Sequence, residues 1–174
     1  MPLYEFNGKK PSIGEGTWIA PSAEIIGDVT IGKNCYIGFG AIIRGDFGPI
    51  EIGNESAIEE TVTIHEAERV KIGNRVIIGH MAMLHDVTIH DFVLIGMQSM
   101  ICAFVEIQSW AIVAEQSLVL KNSIIPSYRI YGGSPAKEIG IVTSKHEKTL
   151  RMGQDIYAGL PKRYHDSFKV VEPV

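Results

Sequence analysis

The sequence predicts an all-β solenoid, a parallel β-helix of hexapeptide repeats followed by a C-terminal α-helix. Two observations carry this. An aliphatic residue returns every six positions: Ile19, Ile25, Ile31, Ile37 and Ile43, then Ile52, Ile58 and Ile64, then Ile72, Ile78 and Leu84, then Ile89, Ile95, Ile101, Ile107, Val113, Val119 and Ile125. No amphipathic helix repeats at six, and a fixed short period of this kind signals a repeat architecture. Glycine then follows the aliphatic residue at Gly32, Gly38, Gly53, Gly73, Gly79 and Gly96, and a small or β-branched residue stands four after it, as at Cys35, Ala41, Ser56, Val62, Val76, Ala82 and Ser99. With three hexapeptides per triangular coil, the aliphatic side chains stack up the interior. Glycine permits the backbone corner, and neighbouring coils bond as parallel strands.

In chain order, residues 1–18 precede the regular rhythm and are expected to form a strand capping the first coil. The β-helix proper spans 19–126, and a Pro/Gly-rich connection spans 127–142. Residues 143–159 read as a helix, with Ser144 and Glu147 as its start signal, Leu150, Ile156 and Tyr157 as its contacts, and Gly159 and Pro161 as its stop. The tail, 160–174, carries no pattern. All of this makes a single domain of 174 residues.

Composition excludes several partners. An apolar content of 45%, a charged content of 21% and a net charge of −4 suit a globular protein with no basic field for nucleic acid. No charge pattern suggests a membrane surface, and no apolar run reaches the length of a span. The opening residues, MPLYEFNGKKP, lack the order of a signal peptide, so a cytoplasmic location is expected. Cys35 falls in an inward corner and Cys102 more than three coils higher. At about 4.8 Å per coil they cannot form a disulfide.

The functional signal lies where the rhythm breaks. The step from Ile43 to Ile52 is nine residues and that from Ile64 to Ile72 is eight, whereas Leu84 to Ile89 is one short. Extra residues at solenoid corners become loops, and such loops tend to carry function. Between and beside them stand His65, His80 and His85. Every third hexapeptide returns to the same face, so Ile43, Ile64, Leu84 and Ile101 share one. The residues after them, Arg44, His65, His85 and Cys102, form an outward column in which the two imidazoles stack in neighbouring coils. His80 follows Ile78 on the preceding face, together with Glu59 and Glu60. If all three histidines bind one ion, the simplest geometry takes His80 from a neighbouring subunit in a three-fold ring.

A hexapeptide β-helix with IIRGDFG at 42–48, the pair Glu59 and Glu60, His65, IGHMAMLHD at 78–86 and YGGSPAK at 131–137 resembles the γ-class carbonic anhydrases, closest to their short, loop-poor γ-carbonic-anhydrase-like branch. The resemblance covers nearly the whole chain. It implies a left-handed β-helix, a homotrimer with the C-terminal helix packed along the prism, and Zn²⁺ between subunits, or iron or cobalt in some members. By resemblance, His65 and His85 come from one chain and His80 from the next. Arg44 would pair across the interface with Glu60 and help hold bicarbonate, and Asp46 would serve subunit contacts. Three neutral imidazoles leave a position for water, whose pKa Zn²⁺ lowers to about 7, giving a hydroxide able to attack CO₂. Glu59 is the expected water or substrate contact, and Tyr131 is expected at the edge of the site.

The chain departs from the family in places. The best-known members have Gln in place of Glu59 and Asp in place of Glu60. They also carry an acidic loop between the first two histidines, where this chain offers only Glu66 or Glu68 as proton shuttle, and Phe47 occupies another position open to an acid. Low hydration activity is therefore expected. Two further readings stand beside this one. GGSPAK at 132–137 also closes the β-helix of CoA-dependent acyltransferases, which use one histidine as general base, and a metal-bearing trimer could serve as a binding module. His90, His146 and His165 fit no column and are expected on the surface.

Overall fold

Each hexapeptide lays down one short strand, and three strands complete a coil. The structure, a computed structural model, describes residues 3–171. On the first face the pairing runs Ile43, Ile64, Leu84, Ile101 and Val119. On the second it runs Ile31, Ile52, Ile72, Ile89, Ile107 and Ile125. On the third it runs Ile19, Ile37, Ile58, Ile78, Ile95 and Val113. These residues are all buried and fill the prism. Each contributes about 1.5–3 kcal/mol relative to exposure, so the stack alone supplies a core. The strands Glu24–Ile31 and Ile42–Ile52 run unbroken around a corner and join the first two faces into one sheet of twelve; the third face is a sheet of eight.

Glycine does not make the corners as expected. None of the six glycines after an aliphatic residue has positive φ. Instead, a Cβ on Gly53 would lie 2.5 Å from the carbonyl carbon of Gly73, so glycine there lets neighbouring coils close up. The left-handed backbone falls three residues after the aliphatic position, at Asn34, Glu55, Thr61, Arg75 and their successors up to Tyr128. An L-residue adopts that conformation at a cost of about 1–2 kcal/mol. The cost is offset because its N–H donates to the coil below, as from Glu55 to Lys33 at 2.8 Å and from Thr61 to Phe39 at 2.9 Å.

Both ends of the prism differ from the expected boundaries. Residues 3–18 are the first coil rather than one capping strand: Leu3–Tyr4 pairs with Ile25 and Ile26, and Ser12–Ile13 with Thr30 and Ile31. Ile13, six before Ile19, carries the rhythm back one step. Residues 1–2 lie outside the described residues. The connection at 127–142 contains a further parallel strand, Arg129–Gly132 on Ile112–Val113, and then Lys137–Ile141 returns antiparallel to it, the reversal passing through Gly133 at φ 100.

The helix spans Ser144–Ser167, beyond both of its expected stops. Its N-cap is Thr143, not Ser144, and the Thr143 N–H donates to His146 Nδ1 at 3.1 Å. Pro161 inside a helix costs about 3 kcal/mol. The helix continues because its later turns bring Tyr164 to 4.0 Å from Trp18 and 5.5 Å from Tyr36, ring centre to ring centre. Leu150 is buried and Tyr157 packs on the core, whereas Ile156 is exposed. Its expected place is taken by buried Gln154, which donates Nε2 to the Arg75 carbonyl at 2.8 Å. Of the tail, residues 172–174 lie outside the described residues. Among the described residues no helix is long and apolar enough to cross a membrane, and both cysteines are free.

Candidate metal centre

The two long steps fall in neighbouring coils at the corner between the first and second faces. The first is not a loop but part of the bent strand Ile42–Ile52, with a register shift against Glu24–Ile31. Carboxylates fasten the stack. Glu66, directly after His65, is fully buried, and its Oε1 accepts the N–H groups of Phe47 at 2.8 Å and Gly48 at 2.7 Å. Asp86, directly after His85, repeats the device one coil higher. Its Oδ1 accepts from Ala67, Glu68 and Arg69 at 2.9, 2.8 and 3.2 Å, and its Oδ2 lies 2.9 Å from His85 Nδ1. Burial pushes the Asp86 carboxyl up, but the three N–H groups, followed by His85, outweigh it and hold the group below the usual carboxylate range.

These anchors set the histidine column. His65 and His85 are direct partners on neighbouring strands, with ring centres 5.1 Å apart, and Arg44 lies opposite His65 in the coil below. Asp46 Oδ1 lies 3.0 Å from His65 Nε2, and its other oxygen bonds the Arg44 guanidinium. Burial raises the Asp46 pKa, and His65 and Arg44 more than reverse that, leaving it below its ordinary value. Asp46, His65 and Glu66 each bring one possible ligand atom within 4.8 Å of the others.

His80 stands on the third face, as the spacing predicts, and is gripped by both acids. Its backbone N–H donates to Glu59 Oε2 at 3.1 Å, its Nε2 lies 2.9 Å from that same oxygen, and its Nδ1 lies 2.7 Å from Glu60 Oε2. Glu60 also accepts the Tyr36 hydroxyl at 2.6 Å. Burial first, and the carboxylate beside it second, push the phenols of Tyr36 and Tyr157 far above their ordinary pKa, Tyr36 against Glu60 and Tyr157 against Glu59. Both remain protonated donors facing the acids.

Within one chain, then, Arg44, Asp46, His65 and His85 gather on one face, and Glu59, Glu60 and His80 on another. Tyr131 joins neither. It pairs with Val113 and packs on the core, three strands beyond Ile78. His90 pairs with Glu106 at 3.1 Å, and His165 is exposed in the last helical turn. Sequence reasoning missed Asp86, Tyr36 and Tyr157. For Asp86 a signal existed, an acid directly after each histidine at an irregular corner.

The donor set suits a cation. His85 has Nδ1 fixed by a buried carboxylate, which is how metal-ligating histidines are oriented, and Nε2 is left available. Glu66, directly after His65, has Oε2 buried without a hydrogen-bond partner.

A triangular prism of hexapeptide coils with this architecture is a hexapeptide-repeat protein, and a profile of that class, bacterial transferase hexapeptide (six repeats), matches residues 10–45. The chain is 36% identical to gamma carbonic anhydrase 2, mitochondrial, of Arabidopsis thaliana over 74% of its own length. It spans 49% of that plant protein. It is 30% identical to the carnitine operon protein CaiE of Escherichia coli over 100% of this chain and 90% of that one. The crystal structure of a hexapeptide transferase family protein from Anaplasma phagocytophilum matches with a TM-score of 0.90 at 32% identity, covering 94% of this chain and 98% of the other. Within that class, the chain belongs to the γ-carbonic-anhydrase-like family.

Proposed function

We propose that the protein is a metal-dependent homotrimer that reversibly hydrates CO₂ to bicarbonate at a centre shared between subunits. His65 and His85 of one chain and His80 of the next would hold Zn²⁺, with Fe²⁺ or Co²⁺ as alternatives. The observation that carries this reading is the half-built site: two imidazoles stacked on a face whose outward ladder, Ile42, Thr63, Met83 and Met100, is mostly apolar and uncovered. Ile42, Met83 and Met100 in that ladder are 38%, 39% and 47% exposed. Exposed apolar residues gathered on one face are ordinarily covered by association, and closed three-fold symmetry would bring the His80 edge of a neighbour against them.

When bound by imidazoles alone, Zn²⁺ supplies a nucleophilic water at neutral pH. The chain's own residues do the rest. Asp86 keeps His85 oriented, Arg44 offers a guanidinium to bicarbonate, and Glu59 contacts the water or substrate beside His80. Asp46 and Glu60 support the interface, and Tyr131 would have to approach from a neighbouring subunit. Glu66 is too deeply buried to exchange protons with solvent, so exposed Glu68 is the better shuttle. The cytoplasmic location expected above belongs to the same proposal, beside a plant relative named as mitochondrial.

Protein purified without chelators at neutral pH is expected to be a trimer with about one transition-metal ion per chain, active in a CO₂ hydration assay. Metal-free protein would overturn the reading. Glu59→Gln is expected to raise the hydration rate about ten-fold, because a carboxylate opposes the negative charge of bicarbonate. An unchanged rate with intact metal content would remove Glu59 from the site.

A second reading is favoured by one feature: buried Glu59 orients His80 as it would a general base. In a CoA-dependent acyltransferase that pair would act without metal, so acyl transfer that survives chelation would select it. Full metal occupancy with neither activity would select the binding module.

A further inference from the structure

The helix leaves part of the third face open. The outward ladder there runs from Trp18 through Ile77, Leu94 and Ile112 to Ile130. The helix leans toward the corner with the second face, where the Arg151 guanidinium lies 4.4 Å from the Trp110 ring and Asp155 pairs with Arg75. On its other side is a groove of about 380 Å³, with Ile77, Leu94 and Ile112 as floor and Leu150, Gly153 and Tyr157 as wall. It continues into a smaller cavity of about 180 Å³ lined by Gly79, His80 and Met97, and Glu59, Ile77, Leu94 and Tyr157 border both.

The two ends of this trough differ in charge. Toward His80 the trough meets two carboxylates, Glu59 where the two cavities join and Glu115 in the smaller one. Lys145 and His146 stand at the other end. Because His146 Nδ1 accepts the Thr143 N–H, the ring proton sits on Nε2, where it is free to be donated. The floor crosses two inter-strand steps, about 10 Å, the length of an extended chain of about eight carbons.

We propose that the groove binds a medium-length aliphatic monocarboxylate, its head on Lys145 and His146 and its chain running over Leu94 toward His80. The charge order fixes the direction, since Glu59 would repel a carboxylate at the far end. Apolar walls with a few polar groups at one mouth are the usual make-up of a small-ligand site. Floor, wall and head group all come from one chain, so the inference goes beyond the shared metal centre and stands without it.

The test is calorimetric titration of the full chain with octanoate, in metal-loaded and chelator-stripped samples whose metal content is measured separately. Failure of the metal reading and failure of this one are then distinct results. Saturable octanoate binding is expected in both samples, about ten-fold tighter than octanol because of the charge-assisted head contact, with none for acetate at the same concentration. Lys145→Glu, an exposed substitution, should weaken octanoate about ten-fold and leave octanol unchanged. A Cβ at Gly153 would lie 3.6 Å from Ile77 Cδ1, so a leucine there would extend into the groove. Gly153→Leu should abolish binding of both ligands in a protein that stays folded, its melting temperature raised if anything by the loss of a helical glycine. No saturable octanoate binding by the unmodified chain overturns the proposal. So does undiminished octanoate binding by Lys145→Glu or by folded Gly153→Leu.

Discussion

Trimers mixed from His80→Ala chains and His85→Ala chains are expected to regain metal at about one interface in three, although neither variant alone holds a complete site. The expectation rests on register. His65 and His85 are partners on one face, and His80 lies on another, held by Glu59 and Glu60. In the proposed ring, each interface would join the paired histidines of one chain to His80 of the next. A mixed ring therefore has one interface where an intact pair meets an intact His80, one lacking both residues and one lacking a single ligand. The measurement is metal content of trimers purified through two different tags. A site built within one chain allows no rescue, so a content no higher than that of the single variants would show the face assignment to be wrong.

Asp86→Ala is expected to destabilise the chain by about 2–4 kcal/mol, because three corner N–H groups lose a buried acceptor at once. It should also lower metal affinity about 10–100-fold by releasing the ring of His85. Asp86→Asn separates the two effects. Its amide oxygen can still accept from Ala67, Glu68 and Arg69, while its NH₂ would face His85 Nδ1 and disfavour the tautomer that coordinates through Nε2. Chemical denaturation and competitive metal titration give the two numbers. An Asn variant with unaltered metal affinity would limit Asp86 to holding the corner.

The solenoid was legible because its core repeats in the sequence itself: the aliphatic stack from Ile25 to Ile125 follows from counting, whereas buried Ile50 and Val70, at the long steps, do not. The histidine column was legible for the same reason, since His65 and His85 sit one place after core residues that share a face. What counting could not supply was anything depending on contact between coils. Gly53 looks like a corner residue until Gly73 is found above it, and Pro161 looks like a stop until Tyr164 is found on Trp18. Likewise Glu66 reads as a solvent acid, and only the amides of Phe47 and Gly48 reveal it as a fastening. Tyr36 and Tyr157 reach the acids beside His80 from the coil below and from the helix, and no local pattern links those positions.

The length of the helix has a consequence for how the prism comes apart. Coils that touch only their neighbours can fray from either end, each step losing only one interface. Here the helix starts beside the last coils, with Arg151 over Trp110, and finishes on the first, with Tyr164 and Phe168 against Trp18. It acts as a tie-rod clamping the stack from top to bottom. Lifting an end coil then means detaching the rod as well, so partial unzipping is suppressed and the whole prism melts as one cooperative unit.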